Sequence, residues 1–483
     1  MGTDGSTLSR ANREFPQHFP EPSWVEHEPE EIWLSVVDSV REALTSAGVN
    51  GSDVAAIGIT NQRETTLLWE RATDRPIARA LVWQDRRTAP LCEELKARGE
   101  SDRVRATTGL VLDPYFAGTK ITWLLDHVAG ARERAERGEI AFGTVDSYLV
   151  WRLAGGARAA APHVTDVTNA SRTLLMRLAD RVWDDGMCEL LRVPRAVLPN
   201  IVPSAKVVAT THGVPGLPDG IPVAGIAGDQ HAALFGQACF DVGDAKCTYG
   251  TGAFLLMNTG ARPVASRHGL LTTLAWQIGD EVSYALEGSC FIAGAAVQWL
   301  RDGLGILSSA PEIEALARSV PSSEGVVFVP ALSGLGAPHW DAGARGLITG
   351  ITRGTTRAHL ARATLEAVAF QVDDLIRAMA EDFGHPVTRM RVDGGAAAND
   401  LLMQLQADIS SLSVERPNEL ESTARGAAML AGVGAGLFPT GREAAKMVKM
   451  ERLFGVKMEE SERRARLLAW QDAVRRARSS LQE

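Results

Sequence analysis

Cysteine, aromatic residues, long apolar runs and excess positive charge are all scarce in this chain, and most of these shortages remove a class of protein. Five cysteines (Cys92, Cys188, Cys239, Cys247 and Cys290) in 483 residues are odd in number, scattered and without C-x-x-C spacing. They spell neither a disulfide framework nor a zinc site and read as reduced core thiols. Cys290, inside the apolar run SCFIAGAA, reads as packing rather than as a nucleophile. Apolar runs break too soon to cross a bilayer, and no charged-then-apolar signal opens the chain. With 50 Lys and Arg against 59 Asp and Glu the net charge is −9. That disfavours nucleic acid or an anionic membrane surface as a partner and leaves room for a nucleotide in a local basic pocket. No H-E-x-x-H, EF-hand loop, G-x-S-x-G, G-x-G-x-x-G or P-loop pattern occurs, so those chemistries are not supported. His163, His231 and His339 are scattered and read as structural.

Length points to two large domains. Short apolar strands alternate with amphipathic helices almost throughout, which argues for α/β layers. The strand candidates are Ala55 to Thr60, Thr66 to Trp69, Ile221 to Ile226, Ala253 to Asn258, Gly325 to Val329 and Met390 to Val392. Helices are expected over Pro29 to Ala47, Arg87 to Ala97, Gly118 to His127, Gly288 to Arg301, Arg357 to Phe383 and Asn399 to Ser410. The charge run Arg132 to Glu139 reads as a solvated helix or loop, and Glu459 to Leu481 as a surface helix. No repeat period appears. A second strand-rich block begins near Phe235 to Gly243, which divides the chain into 1–236 and 237–483.

Chemistry concentrates between Ala224 and Gly252. The apolar run Ile221 to Ala227 ends in Gly228, Asp229 and Gln230, and a second turn follows at Tyr249-Gly-Thr-Gly252. A carboxylate at the mouth of a buried strand can act as base or metal anchor. A Gly/Thr turn lets backbone N–H groups approach phosphate oxygens. The plain alternative is a strand-turn-helix with an incidental aspartate. Arg63 beside Glu64, just after a strand, offers the donor and acceptor needed to hold vicinal hydroxyls, or else a surface ion pair worth little. Asp113 reads as a helix cap, and Tyr115 as either a packing aromatic or a hydroxyl donor. Arg391-Val-Asp-Gly-Gly395, running on to Asn399, has the strand, glycine turn, helix order that lets a nucleotide press against backbone.

Taken in order, ITNQRETTLLWE, TGLVLDPYFAGTKITWLLDHV, VTDVTNASRTLL, GIAGDQHAALFGQ, TYGTG, YALEGSCFIAGAAVQWLRD, GLGAPHWDAGARGLITGITRG and VDGGAAANDLLMQLQADI resemble segments of the FGGY carbohydrate kinase family, over nearly the whole chain from about Arg13. The resemblance implies two ribonuclease-H-like domains of the actin/hexokinase type closing on a cleft, the first holding substrate and the second nucleotide. It implies ATP and Mg²⁺ as cofactors and phosphorylation of glycerol to sn-glycerol 3-phosphate. Arg63, Glu64, Tyr115, Asp229 and Gln230 then match the glycerol ligands, with Asp229 as general base and possible Mg²⁺ anchor. Thr251 and Gly294 match phosphate contacts, Gln298 a nucleotide contact, and Gly395 and Asn399 the adenosine side. A cytoplasmic homodimer or homotetramer is implied as well. The family's opening strand and DQGTTS loop find no counterpart in Met1 to Arg10, so roughly two dozen residues are expected to be missing and activity to suffer. On that ground a non-catalytic glycerol- or nucleotide-binding protein is one alternative. A kinase of the same family for another polyol or ketose is the other.

Overall fold

The computed structural model describes residues 1–341 and 343–479. Helix α1 (Pro29–Ala47) shows why several elements form where the sequence places them. Pro29 opens the first turn, Ile32, Trp33 and Val37 recur on one buried face, and Gly48, at φ 63°, ends the helix in the left-handed region. Strand β1 (Ile57–Asn61) follows. Further along come helices α2 (Ala117–His127) and α3 (Val167–Ala170), and strands β2 (Ala205–Thr210) and β3 (Pro222–Gly228). Helix α4 (Asp229–Gly236) starts directly at the end of β3.

The second half opens with four strands in near succession: β4 (Asp244–Tyr249), β5 (Ala253–Gly260), β6 (Leu271–Ile278) and β7 (Glu281–Cys290). Helices α5 (Gly294–Asp302) and α6 (Arg357–Phe383), strand β8 (Arg389–Asp393) and helix α7 (Asp400–Ser410) follow. Strand β9 (Val414–Pro417), helix α8 (Ser422–Gly434), strand β10 (Met450–Phe454) and helix α9 (Glu460–Ala477) complete the described chain.

The ten strands form one mixed sheet in the order β1-β3-β2-β6-β7-β5-β4-β8-β9-β10. Parallel pairs lie toward both ends, β1 with β3 on one side and β4 with β8 and β8 with β9 on the other, where β10 closes the sheet antiparallel; β6, β7, β5 and β4 between them form an antiparallel run. A single parallel pair, Ala205 with Ile278, joins β2 to β6 and thereby the two halves. Parallel pairing buries both faces, and helix α8 returns from far along the chain to cover β1 and β3. The approach is close because the facing positions are glycine: a Cβ on Gly58 or Gly225 would run into the α8 backbone at Ala427 or Ala431.

The helix expected from Gly288 is corrected. Gly288, Ser289 and Cys290 pair with Leu255, Phe254 and Ala253 as the last rungs of β7, and α5 begins only at Gly294. The run GSCFIAGAA is small and apolar throughout, so it carries no period that separates strand from helix. Helix α9 is more than a surface helix. Trp470 stacks on Phe370 of α6 with centroids 5.3 Å apart and donates its indole N–H to Asp374 at 2.8 Å. The expected residues 480–481 of that helix lie outside the described ones. All five cysteines are buried free thiols. No described helix is long and apolar enough to cross a membrane.

Candidate active site

Because β1 and β3 run parallel with Asn61 opposite Gly228, the residues just past each strand leave the same edge of the sheet. Open α/β sheets bind ligands at that carboxyl end. There the Arg63 Nε lies 3.2 Å from Asp229 Oδ1. The rest of the Arg63 guanidinium is held by Glu287 of β7 in a two-pronged contact of 2.6 and 2.9 Å, and Arg63 Nη2 lies 3.4 Å from the Tyr115 hydroxyl. Glu64, with a left-handed φ of 60°, accepts from Arg172 Nε at 2.6 Å, and Arg172 also donates to Glu287 at 3.1 Å. Arg63, Glu64, Arg172 and Glu287 are buried to within 2% of full enclosure, whereas the Asp229 side chain is 34% exposed. One carboxylate of the three is therefore open to solvent.

Burial alone raises a carboxyl pKa. For Glu287 that effect is outweighed by Arg172 and Arg63, which hold it well below its usual range. For Glu64 burial prevails over the same two arginines and the carboxyl is raised. Burial also pushes the Tyr115 hydroxyl upward, so it stays a neutral donor. Its ring stands edge-on to Trp83, 5.7 Å between centroids. Burial, with Arg63 beside it, keeps His231 well below the ordinary imidazole value and therefore uncharged. Asp113 is not a helix cap. Its Oδ1 accepts from the Tyr115 backbone N–H at 2.9 Å and it pairs with Arg86, while α2 starts at Ala117. The Tyr115 carbonyl accepts from buried Lys120 at 2.6 Å, so both ends of that residue are fixed.

A buried polar brace holds these strand ends in place. The Asp166 carboxylate accepts from the Thr168 and Asn169 backbone N–H groups at the start of α3 (3.1 and 3.0 Å), and from Ser204, Thr168 and Asn169 side chains. The Thr168 hydroxyl accepts from Gly228 N–H at 2.9 Å, and the Asn169 and Asn61 amides pair reciprocally at 3.0 and 3.1 Å. Segment 166–172 thus ties β1 to β3 and delivers Arg172 to Glu64. Nearby Asp146 accepts from Thr165 at 2.8 Å. Burial, reinforced by Asp166, pushes its carboxyl up to about 7.

The second group of expected residues gathers around β4 and β8. Their parallel register sets Thr248 opposite Asp393, which brings the turns at 249–252 and 394–395 side by side. Thr251 and Gly294 meet directly. The Thr251 carbonyl accepts from Ala293 and Ala295 N–H at 2.9 and 3.0 Å, and Gly294 N–H donates to Gly250 at 2.9 Å. A Cβ on Gly294 would sit 2.6 Å from the Gly250 oxygen. Gln298 lies exposed one turn along α5. A Cβ on Gly395 would meet nothing within 4 Å, so space stands open beside it, and Asn399 caps α7 by accepting from Leu402 N–H at 2.9 Å. Two helix N-termini and two glycine turns make a surface suited to phosphate oxygens. Gln230 connects the groups, since its side-chain oxygen accepts from Lys246 of β4. Among the described residues no cluster of three or more His, Cys, Asp or Glu could hold a metal.

Residues 1–236 match the N-terminal domain of the FGGY family of carbohydrate kinases, and residues 245–435 match its C-terminal domain. The chain belongs to this family. It is 57% identical to a glycerol kinase of Myxococcus xanthus over 479 residues, which are 99% of this chain and 96% of that one. A glycerol kinase of Alkalilimnicola ehrlichii is 56% identical over 98% of this chain and 94% of its own length. Among solved structures, the fold is similar to that of Plasmodium falciparum glycerol kinase with ADP, at a TM-score of 0.89 and 35% identity over 96% of this chain and 92% of that one. A xylulose kinase from Lactobacillus acidophilus shares the fold at a TM-score of 0.81 and 20% identity, covering 96% of this chain and 91% of that one. The two-domain α/β kinase fold is as expected. The expected truncation is not borne out, since relatives align over 99% of the chain.

The buried cluster of this FGGY kinase contains residues that sequence reasoning passed over. Arg172, Lys246 and Glu287 are charged residues in otherwise small or apolar segments, NASRTLL, DAKCTY and YALEGSC. A full charge in such a run has to find a partner or a ligand, and that was the available signal. Trp83 gave none. Arg63 and Glu64, for which a surface ion pair was the competing reading, are instead fully enclosed.

Proposed function

We propose that the protein transfers the γ-phosphoryl group of ATP to a terminal hydroxyl of glycerol, yielding sn-glycerol 3-phosphate and ADP. The observation that carries this reading is the contrast in exposure: Asp229 is open to solvent, while the charges behind it are sealed and paired. Asp229 accepts the proton of the attacking hydroxyl. The new bond joins that oxygen to the γ-phosphorus, and the bond to the β,γ-bridging oxygen breaks. Such a transfer asks the protein mainly for positioning and charge stabilisation.

Arg63, Glu64, Tyr115 and Gln230 form the polyol set. Arg63 and Glu64 are enclosed as the structure stands, so the side chains shift to admit glycerol, after which Arg63 and the neutral Tyr115 hydroxyl donate to it and Glu64 accepts. Selectivity follows because an analogue lacking a hydroxyl leaves buried polar groups unpaired. Thr251 and Gly294 frame the phosphates, Gln298 lies along the nucleotide, and Gly395 and Asn399 flank the adenosine. The division into residues 1–236 and 237–483 gives each substrate its own half. Mg²⁺ usually takes one or two carboxylates plus substrate phosphates. A single accessible aspartate fits that habit better than an all-protein cage, so Asp229 would hold the ion together with the nucleotide. When bound, the ion neutralises charge on the phosphates. A cytoplasmic homodimer or homotetramer belongs to the same reading, and light scattering on the purified protein measures the assembly.

Asp229→Asn tests the assignment. It keeps the shape and removes the base, so kcat should fall by about 10² to 10⁴ while titration calorimetry still detects ADP and glycerol. A variant retaining more than about a tenth of wild-type turnover in a coupled ADP assay sinks the role given to Asp229.

A further inference from the structure

Lys246 is a fully buried lysine that the mechanism leaves unused. It lies on β4, between the polyol side and the nucleotide side of the site. Its ammonium donates to the Gln230 side-chain oxygen, to the Thr248 hydroxyl at 2.9 Å and, more distantly, to the Phe254 carbonyl at 3.4 Å. Burial draws its pKa down, and the carboxylates that oppose this are Asp393 on β8 and Asp229 on α4. The cation is therefore shared between strands from the nucleotide side and the residue next to the base.

An ammonium can only donate. The Gln230 amide must then turn its oxygen to Lys246, which leaves its two N–H groups for a different acceptor. A glutamine free of such a partner could present either face. We propose that Lys246 is the positioning residue that locks the Gln230 amide with its N–H groups toward the polyol, so that this position recognises a substrate oxygen as acceptor. The inference rests on Gln230 being a polyol ligand. It assigns Lys246 no contact with substrate.

The test is a double-substitution cycle read out in Michaelis constants. Lys246→Met should raise the glycerol KM by up to about ten-fold, the scale of one neutral hydrogen bond, and leave the ATP KM within about two-fold. Lys246→Arg, which keeps a cationic donor, should recover most of the loss. Gln230→Ala should raise the glycerol KM to a similar degree. The double variant should be no worse than Gln230→Ala alone, because the lysine acts through the glutamine. Effects that multiply in the double variant, or an unchanged glycerol KM in Lys246→Met, overturn the proposal. An unchanged KM in Gln230→Ala overturns it by a different route, removing the ligand role of Gln230 while leaving the Asp229 test untouched.

If Lys246→Met does not fold, Gln230→Glu takes its place. A carboxylate facing the ammonium keeps one oxygen on Lys246 and loses both outward donors. The melting temperature should then hold while the glycerol KM rises about ten-fold. A collapse in melting temperature, or an unaltered KM, counts against the inference.

Discussion

Glu287→Gln removes one charge from a sealed set of two arginines and two glutamates. Arg63 loses its contacts of 2.6 and 2.9 Å to a carboxylate, and Arg172 loses one of 3.1 Å. Arg172 keeps Glu64, while Arg63 keeps the more exposed Asp229 at 3.2 Å and a longer contact to Glu64 at 3.8 Å. Breaking one partner of a buried ion pair costs about 3 to 5 kcal/mol, and solvent screening does not soften it where the side chains are 2% exposed. For a domain of this size each kcal/mol moves the melting point by about 2 to 4 °C. The melting temperature should therefore fall by roughly 10 °C. Asp180→Asn, which breaks an exposed pair with Arg177, should shift it by no more than about 2 °C.

The pH dependence follows from the depressed Glu287 carboxyl. A group whose folded pKa lies below its unfolded one lends stability above the unfolded value, 4.5 here, and loses it as pH falls. The gap between wild type and Glu287→Gln should be full at pH 7.5 and narrow on acidification below about pH 5. Melts followed by near-ultraviolet circular dichroism at one scan rate measure it. A variant melting within about 2 °C of wild type at pH 7.5 would show that the cluster does not hold the fold as described.

Two further outcomes are expected. Gly294→Ala places a methyl 2.6 Å from the Gly250 carbonyl, which the turn must yield to. The ATP KM should rise about ten-fold while the glycerol KM stays put, and equal changes in both would contradict the division of roles. Asp146, its carboxyl raised to about 7 from a usual 3.8, gives stability that is whole below the unfolded value and is lost as pH climbs through the folded one, by up to about 1.4 kcal/mol per pH unit. Asp146→Asn should flatten the melting temperature between pH 5 and 8 and match or exceed wild type at pH 8. Parallel slopes for the two proteins would refute that.

Local signals carried the elements that stand alone in the chain. Pro29 and Gly48 bracket α1, and Thr356 with His359 opens α6 while Gly384 closes it, so both helices were legible to the residue. Candidate β1, β3 and β8 were legible within two residues because each is a short apolar run ended by a turn. The antiparallel centre was harder. Strands β6 and β7 owe their pairing to each other, and the Gly288 to Cys290 stretch takes its form from β5. In the site, the motifs left Arg63, Asp229 and Tyr115 with plainer readings beside the functional ones; the family resemblance grouped them, and the fold places them side by side. What the motifs lacked was the counter-charge: Glu287 is 224 residues from Arg63 in sequence, and no local pattern links them.

That long-range pairing bears on how the polypeptide can be divided. A cut between residues 236 and 245 would send the Arg63 guanidinium into one fragment and the Glu287 carboxylate into the other. It would also strip α8 from the strands it roofs. The first fragment would harbour a stranded ion and a bare sheet face, the second a stranded ion and a helix with nothing beneath it. Neither should persist alone, and activity rebuilt from separately expressed halves would require the two to meet before either is degraded.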